Sequence, residues 1–249
     1  MNLEEYCRGV KGVVLDYGGT LDSRGEHWSE VLWRGWQNAG ADFEFDREKF
    51  LDAYVYAERL LAKEVHILPD DDFLTLLLKK INIEMNAYAS ADPRLESAHV
   101  AELARRAALY CDSAAREVVA ESRDTLLQPL AAAGMPMVLV SNFYGNVESV
   151  LEEYGVRRYM KEIIESAVVG VRKPDPEIFR LGVKALGLEP SEVIVVGDSY
   201  RKDIEPALKA GCRAVWLKGK GWGNDETAID YPYCIKSLSE LTSSLINEN

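Results

Sequence analysis

The sequence predicts an α/β fold: a doubly wound, Rossmann-like parallel sheet interrupted by a long α-helical insertion. Three observations lead there. Val13-Val14-Leu15, Met137 to Val140, Ala167 to Val169 and Val193 to Val196 are short apolar runs that lead into polar residues, and such runs mark strands buried on both faces of a sheet. Helical stretches follow the second and fourth runs, as crossovers between parallel strands require. Between the first run and the second lies a gap far longer than a usual crossover, and its patterning is helical throughout.

Along the chain, the first strand ends at Asp16. Trp28, Leu32 and Trp36 then recur at i, i+4 and i+8, a core-facing helical stripe. Trp28, Trp33 and Trp36 are read as core of the insertion, not as a substrate platform. Asp46 is placed to cap a helix from Arg47, with Phe45 and Phe50 as a hydrophobic staple; Leu51, Tyr54, Val55 and Leu61 continue its apolar face. Pro69 to Asp72 open a further helix through Phe73, Leu76, Leu77 and Lys80, and Ser97 to Glu121 offer one or two more. The second strand ends at Ser141. From there to Lys173 the chain has room for a helix (Val147 to Tyr154) and the strand read at Ala167 to Val169, so no second insertion fits. After Gly197-Asp198 come a helix from Ile204 to Ala210, a strand from Ala214 to Leu217 and a short last strand near Tyr233-Cys234-Ile235.

Composition narrows the function. The 249 residues are 47% apolar, enough for a packed core. The formal net charge is −12 and no cluster of Lys or Arg appears, which argues against a nucleic-acid or anionic-membrane partner. Cys7, Cys111, Cys212 and Cys234 are scattered, so a disulfide framework or zinc site is not expected. An acidic N-terminus with no long apolar run predicts neither signal peptide nor membrane span, and a cytoplasmic setting. Nothing in the sequence specifies an oligomeric state.

Open α/β sheets bind ligands beyond the carboxyl ends of their strands. Asp16, Ser141, Lys173 and Asp198 should therefore converge, although Asp16 and Asp203 stand 187 positions apart. Carboxylates, a hydroxyl and a lysine form a set suited to phosphoryl transfer.

The residues fall into stretches of a known kind: Asp16-Tyr17-Gly18-Gly19-Thr20-Leu21, Val140-Ser141-Asn142, Lys173-Pro174-Asp175-Pro176-Glu177-Ile178-Phe179, and Gly197-Asp198-Ser199 with Asp203. In order and spacing they resemble the haloacid dehalogenase (HAD) superfamily, mostly Mg²⁺-dependent phosphatases that form a phospho-aspartate. The resemblance implies Asp16 as nucleophile and Mg²⁺ held by Asp16, the Gly18 carbonyl and Asp198. Ser141, the Asn142 amide and Lys173 would bind the substrate phosphate, Thr20 would shape that loop, and Asp203 would orient Lys173 or a metal-bound water. The insertion resembles the C1 cap of that superfamily, spanning 24–120, with 1–23 and 121–249 as core.

Gly18 departs from the pattern. The phosphatases carry there an aspartate that protonates the leaving oxygen and then activates water. Glycine can do neither, and such groups contribute roughly 10²–10⁴-fold, about 3–5 kcal/mol of barrier. The expectation is a small phosphorylated substrate with a low-pKa leaving group. His27, at the start of the insertion where β-phosphoglucomutase also carries a histidine, is the candidate substitute acid/base, ahead of Glu26. His66 and His99 are assigned no role, and Arg201 and Lys202 read as solvated. Other readings stay open: a dehalogenase, a phosphonatase with a cap lysine (Lys49, Lys63, Lys79 or Lys80, none in a motif), a phosphotransferase, or a non-catalytic phosphate binder.

Overall fold

A computed structural model describes residues 2–219, 226 and 228–246. After a short helix α1 (Leu3–Cys7), the strands are β1 (Gly12–Leu15), β2 (Met137–Ser141), β3 (Met160–Glu165), β4 (Val193–Gly197), β5 (Arg213–Leu217) and β6 (Cys234–Ile235). They form one sheet in the order β3-β2-β1-β4-β5-β6, every pair parallel. Val14 sits in register with Val138 on one side and Val195 on the other.

The period of two divides the strand residues between two cores. Val13, Leu15, Leu139, Ile194 and Val196 face one layer, which includes α6 (Gln128–Ala132), α7 (Val147–Glu153) and α11 (Leu238–Ile246). Val14, Val138, Val140 and Val195 face the other, with α9 (Glu177–Leu186) and α10 (Glu205–Lys209). Consecutive strands run outward from β1 to β3, and the chain then returns to the far side of β1 as β4. That reversal opens a crevice between the ends of β1 and β4, where Asp16 and Asp198 lie.

The residues between β1 and β2 form α2 (Trp28–Ala39), α3 (Arg47–Leu61), α4 (Phe73–Ala91) and α5 (Ser97–Ser122). Asp46 caps α3 by accepting from the amides of Glu48 and Lys49, and Asp72 caps α4 by accepting from Thr75. Phe45 and Phe50 both pack on the buried Trp36, each with ring centroids 5.1 Å away. Ser97 to Ser122 is one uninterrupted helix. All four cysteines are free, and among the described residues no helix is long and apolar enough to cross a membrane.

One expected strand is a helix. Ser166–Val169 forms a single turn, α8, closed by Gly170 in the left-handed region at φ 73°, and Val168 is 72% exposed. The strand lies just before it, at Met160–Glu165, where charged residues interrupt the apolar pattern. It is an edge strand with one paired neighbour, so one flank is open to solvent and the apolar run is not required there.

Candidate active site

The strand ends bring the motif residues together around one ammonium group. Lys173 Nζ donates to Asp16 Oδ1 at 2.5 Å and to Asp203 Oδ1 at 2.7 Å. The other oxygen of Asp16 accepts from the Thr20 hydroxyl at 3.0 Å, and the other oxygen of Asp203 accepts from the Ser199 amide at 3.1 Å. Asn142 clamps the lysine's backbone: its Nδ2 donates to the Lys173 carbonyl at 3.0 Å, and its Oδ1 accepts from the Lys173 amide at 2.9 Å. The Asn142 side chain thus fixes Lys173, a role the sequence pattern does not announce. Ser141 is buried at the end of β2 and lines the same cavity. Ser199 caps the turn that begins at Tyr200.

Two glycines permit this closeness. Gly19 sits at φ +100°, and a Cβ there would stand 2.3 Å from Asp198 Cγ; a Cβ at Gly197 would stand 2.3 Å from Asp203 Cγ. Gly18 is different. Its nearest neighbours would be Trp28 Cδ1 at 3.8 Å and Nε1 at 3.9 Å, so a side chain has room.

The charges are unbalanced. Oxygens of Asp16, Asp198 and Asp203 lie within 4.8 Å of one another, with Lys173 as their shared cation. Burial pushes the Asp16 carboxyl up to about 6, against the pull of Lys173 and with repulsion from Asp203. Burial also raises Asp198 well above the usual carboxylate range, helped by Asp16 and Asp203. Burial works against the charge on Lys173, but Asp16 and Asp203 outweigh it and raise its pKa. Among the described residues nothing donates a hydrogen bond to the Asp198 carboxylate. A group of hard oxygen donors with surplus negative charge, one of them unpaired, fits a divalent cation such as Mg²⁺.

Above the strand ends lies a cavity of about 300 Å³. Its floor includes Asp16, Gly18, Ser141, Lys173 and Asp198; α2, α3 and α4 supply Trp28, Leu32, Tyr54, Glu58, Phe73, Leu77 and Lys80; Phe143 and Tyr144 come from the loop after β2. Arg201 and Lys202 are exposed, as expected, yet stand at the cavity's edge. His27 also lines it and caps α2, its Nδ1 accepting from the Ser29 amide at 3.2 Å. Burial, then Lys202 and Lys80, push His27 down to about 4, so the ring is neutral at neutral pH with its proton on Nε2.

Three further residues shape the cavity and its surroundings. Asp22 is buried, accepts from the Gly19 amide and from Trp28 Nε1 at 2.8 Å each, and is pushed up to about 7 by burial. Trp28, expected in the core, is partly exposed and walls the cavity beside Gly18. Lys80 is buried, pairs with Glu58 and donates to the Tyr144 hydroxyl at 3.1 Å. Lys80 did carry a signal: it continues the spacing of Phe73, Leu76 and Leu77, a charge on the apolar face of its helix.

A doubly wound sheet with carboxylates gathered at its switch point defines an α/β protein with an acidic strand-end site. The chain belongs to the haloacid dehalogenase-like hydrolase family, whose description matches residues 10–211. It is 33% identical over 138 residues to haloacid dehalogenase-like hydrolase domain-containing protein 3 of Danio rerio, covering 55% of this chain and 56% of that one. It is 43% identical over 96 residues to phosphoglycolate phosphatase of Pectobacterium atrosepticum, covering 38% and 40%. The chain thus spans about half or less of these relatives' lengths. Among solved structures, a dehalogenase superposes with TM-score 0.62 at 20% identity, covering 96% of this chain and 98% of that one. The HAD-hydrolase YfnB of Bacillus subtilis, bound to magnesium, gives 0.58 at 16%, covering 95% and 98%. At these identities the structural likeness speaks for the fold alone.

Proposed function

We propose that this hydrolase is a Mg²⁺-dependent phosphatase of small phosphorylated molecules, working through phosphorylation of Asp16. The observation that carries the reading is the contact of one lysine with both Asp16 and Asp203, beside an Asp198 carboxylate that accepts no hydrogen bond among the described residues. Asp16, Asp198 and the Gly18 carbonyl would hold the ion, whose positive charge would let an anionic carboxylate approach an anionic phosphate. Relatives named phosphoserine phosphatase and glyceraldehyde 3-phosphate phosphatase act on small phosphorylated metabolites and support the same substrate class here.

Asp16 attacks phosphorus as the bond to the leaving oxygen breaks, giving an acyl phosphate that water then hydrolyses. The Ser141 hydroxyl and the Lys173 ammonium face the phosphate oxygens and offset the charge that builds on them. Asp203 and the Asn142 side chain hold Lys173 in place from its two ends. We read residues 24–120 as the cap that closes the cavity from above, and 1–23 with 121–249 as the core. With pKa near 4, His27 enters the reaction as a hydrogen-bond donor through Nε2, or as a weak base, and is a poor acid at neutral pH.

Among the described residues, the phosphonatase reading meets an obstacle. Schiff-base chemistry needs a neutral amine, and although burial disfavours its charge, Glu58 and the neighbouring tyrosines raise the pKa of Lys80 well above the usual lysine value.

The test is hydrolysis of a panel of phosphorylated metabolites with Mg²⁺ and with EDTA, beside Asp16→Asn and Asp198→Ala. Activity that requires Mg²⁺ and disappears in both variants is expected. Undiminished hydrolysis in EDTA would overturn the reading and restore the dehalogenase alternative.

A further inference from the structure

We propose that the leaving group accepted by this site is an uncharged aromatic ring, making its substrate an aryl phosphate seated against Trp28. This rests on the phosphatase reading above and specifies its substrate class.

The first support is chemical. Gly18 offers no proton, and His27 is neutral and holds its proton at a low affinity for a second one. Without an acid at either of these positions, the leaving oxygen departs as an anion. When Asp16 Oδ bonds to phosphorus and the ester P–O bond breaks, the electron pair goes to the leaving oxygen. A phenolate, with a pKa near that of tyrosine at about 10, carries that pair without an acid. An alkoxide, close to the ~15.7 of bulk water, does not.

The second support is the shape and lining of the space beside Gly18. A glycine there leaves the indole of Trp28 as the nearest wall, 3.8 Å from where a Cβ would stand. The indole is anchored: Nε1 donates to the buried Asp22, and its ring meets Phe73 edge-on with centroids 5.3 Å apart. Leu32, Leu77 and Phe143 add apolar lining to the same cavity. Aromatic rings pair with such surfaces in stacked or edge-on contact, worth about 0.5–1.5 kcal/mol, roughly two- to tenfold, beyond burial. A polyhydroxylated leaving group would surrender its hydrogen bonds to water against this wall.

The third support is the cancellation of charge at the roof. Lys80 is the cation on α4 that faces the cavity, and Glu58 neutralises it while the Tyr144 hydroxyl bridges the two. No second anionic group of a substrate is called for there. A volume of about 300 Å³ stands at the lower end of ligand cavities, which run roughly 300–1,000 Å³, and suits one ring with its phosphate.

Calorimetry with Mg²⁺ and two non-hydrolysable probes, phenylphosphonate and methylphosphonate, tests the inference. Phenylphosphonate should bind at least tenfold more tightly. Trp28→Leu should erase most of that ratio, and Phe143→Ser, in a loop and independent of the Asp22 anchor, should reduce it about threefold. Equal binding of the two probes by the wild-type protein overturns the aromatic site, even if Mg²⁺-dependent phosphate hydrolysis is observed. A retained ratio in both variants overturns the assignment to Trp28's wall. In a parallel assay, absence of Asp16-dependent hydrolysis of 4-nitrophenyl phosphate would overturn the phosphatase reading on which the inference rests.

Discussion

Lys173 and Lys80 face the same cavity from opposite sides, and their surroundings differ in kind. Both are buried and both are ion-paired. Lys173 sits between two buried carboxylates, Asp16 and Asp203, with its backbone clamped by Asn142. Lys80 stands mid-helix and meets Glu58, whose side chain is 38% exposed, and a tyrosine from a loop of the core. A pair sealed at the strand ends has no solvent to fall back on, whereas half of the roof pair can be rehydrated. The comparison teaches that the two lysines, equally buried, carry unequal loads.

Lys173→Met is therefore the substitution with the largest expected effect. It leaves Asp16 and Asp203 buried without their cation, at a cost of about 3–5 kcal/mol, and removes charge stabilisation worth roughly 10²–10³-fold in turnover. Lys80→Met should cost about 1 kcal/mol, since Glu58 can turn to water, and should alter turnover less than tenfold. Denaturant unfolding and steady-state rates measured on both variants check this. Equal losses in the two would break the contrast.

Gly18→Asp sharpens the chemical side. A side chain has room at that position, and an added acid should raise turnover of alkyl phosphates by about 10²-fold while aryl phosphates change little. The readout is rate against leaving-group pKa, whose slope should flatten in the variant. An unchanged slope would mean that the proton reaches the leaving oxygen by another route.

Glu84, one turn beyond Lys80 on α4, tests the roof through its pH dependence. Its carboxyl is fully buried with no well-formed hydrogen bond. Burial pushes it up to about 8; Lys80 and the Trp36 indole pull against that, and Glu58 adds to it. A raised acid favours the protonated folded state. Its stabilising effect is complete below the unfolded value of 4.5 and is lost as pH rises through about 8. Stability should fall across that window by up to about 1.4 kcal/mol per pH unit in the wild-type protein, and by much less in Glu84→Gln. Denaturant midpoints at both ends of the window measure it, and parallel curves for the two proteins would contradict the assignment.

Much of the fold was legible because the sheet is buried on both faces. Val13 to Leu15, Met137 to Val140 and Val193 to Val196 had to be apolar throughout, and all three are strands. Asp46 and Asp72 announced their helices because an N-cap is a local event, decided within a few residues. Ala167 to Val169 misled for the complementary reason. An edge strand tolerates charge, so the real strand hid at Met160–Glu165 while a helical turn imitated one. The gathering of Asp16, Ser141, Lys173, Asp198 and Asp203 was also foreseeable, since parallel strands deliver their carboxyl ends to one side of the sheet.

By itself, then, the sequence determined the strand ends, the residues that stand on them and the missing side chain at Gly18. Each follows from local pattern and from the geometry that parallel sheets share. Tertiary structure alone decided what surrounds those residues. Trp28 packs on the helical core and also walls the cavity beside Gly18, where Asp22 holds its indole nitrogen. Lys80 becomes part of the cavity because Glu58 on α3 and Tyr144 on a core loop reach it, 22 and 64 positions away. Asn142 holds Lys173 across 31 positions. Contacts of that kind depend on how helices pack on one another and on the sheet, and no periodicity along the chain encodes which side chains they bring face to face.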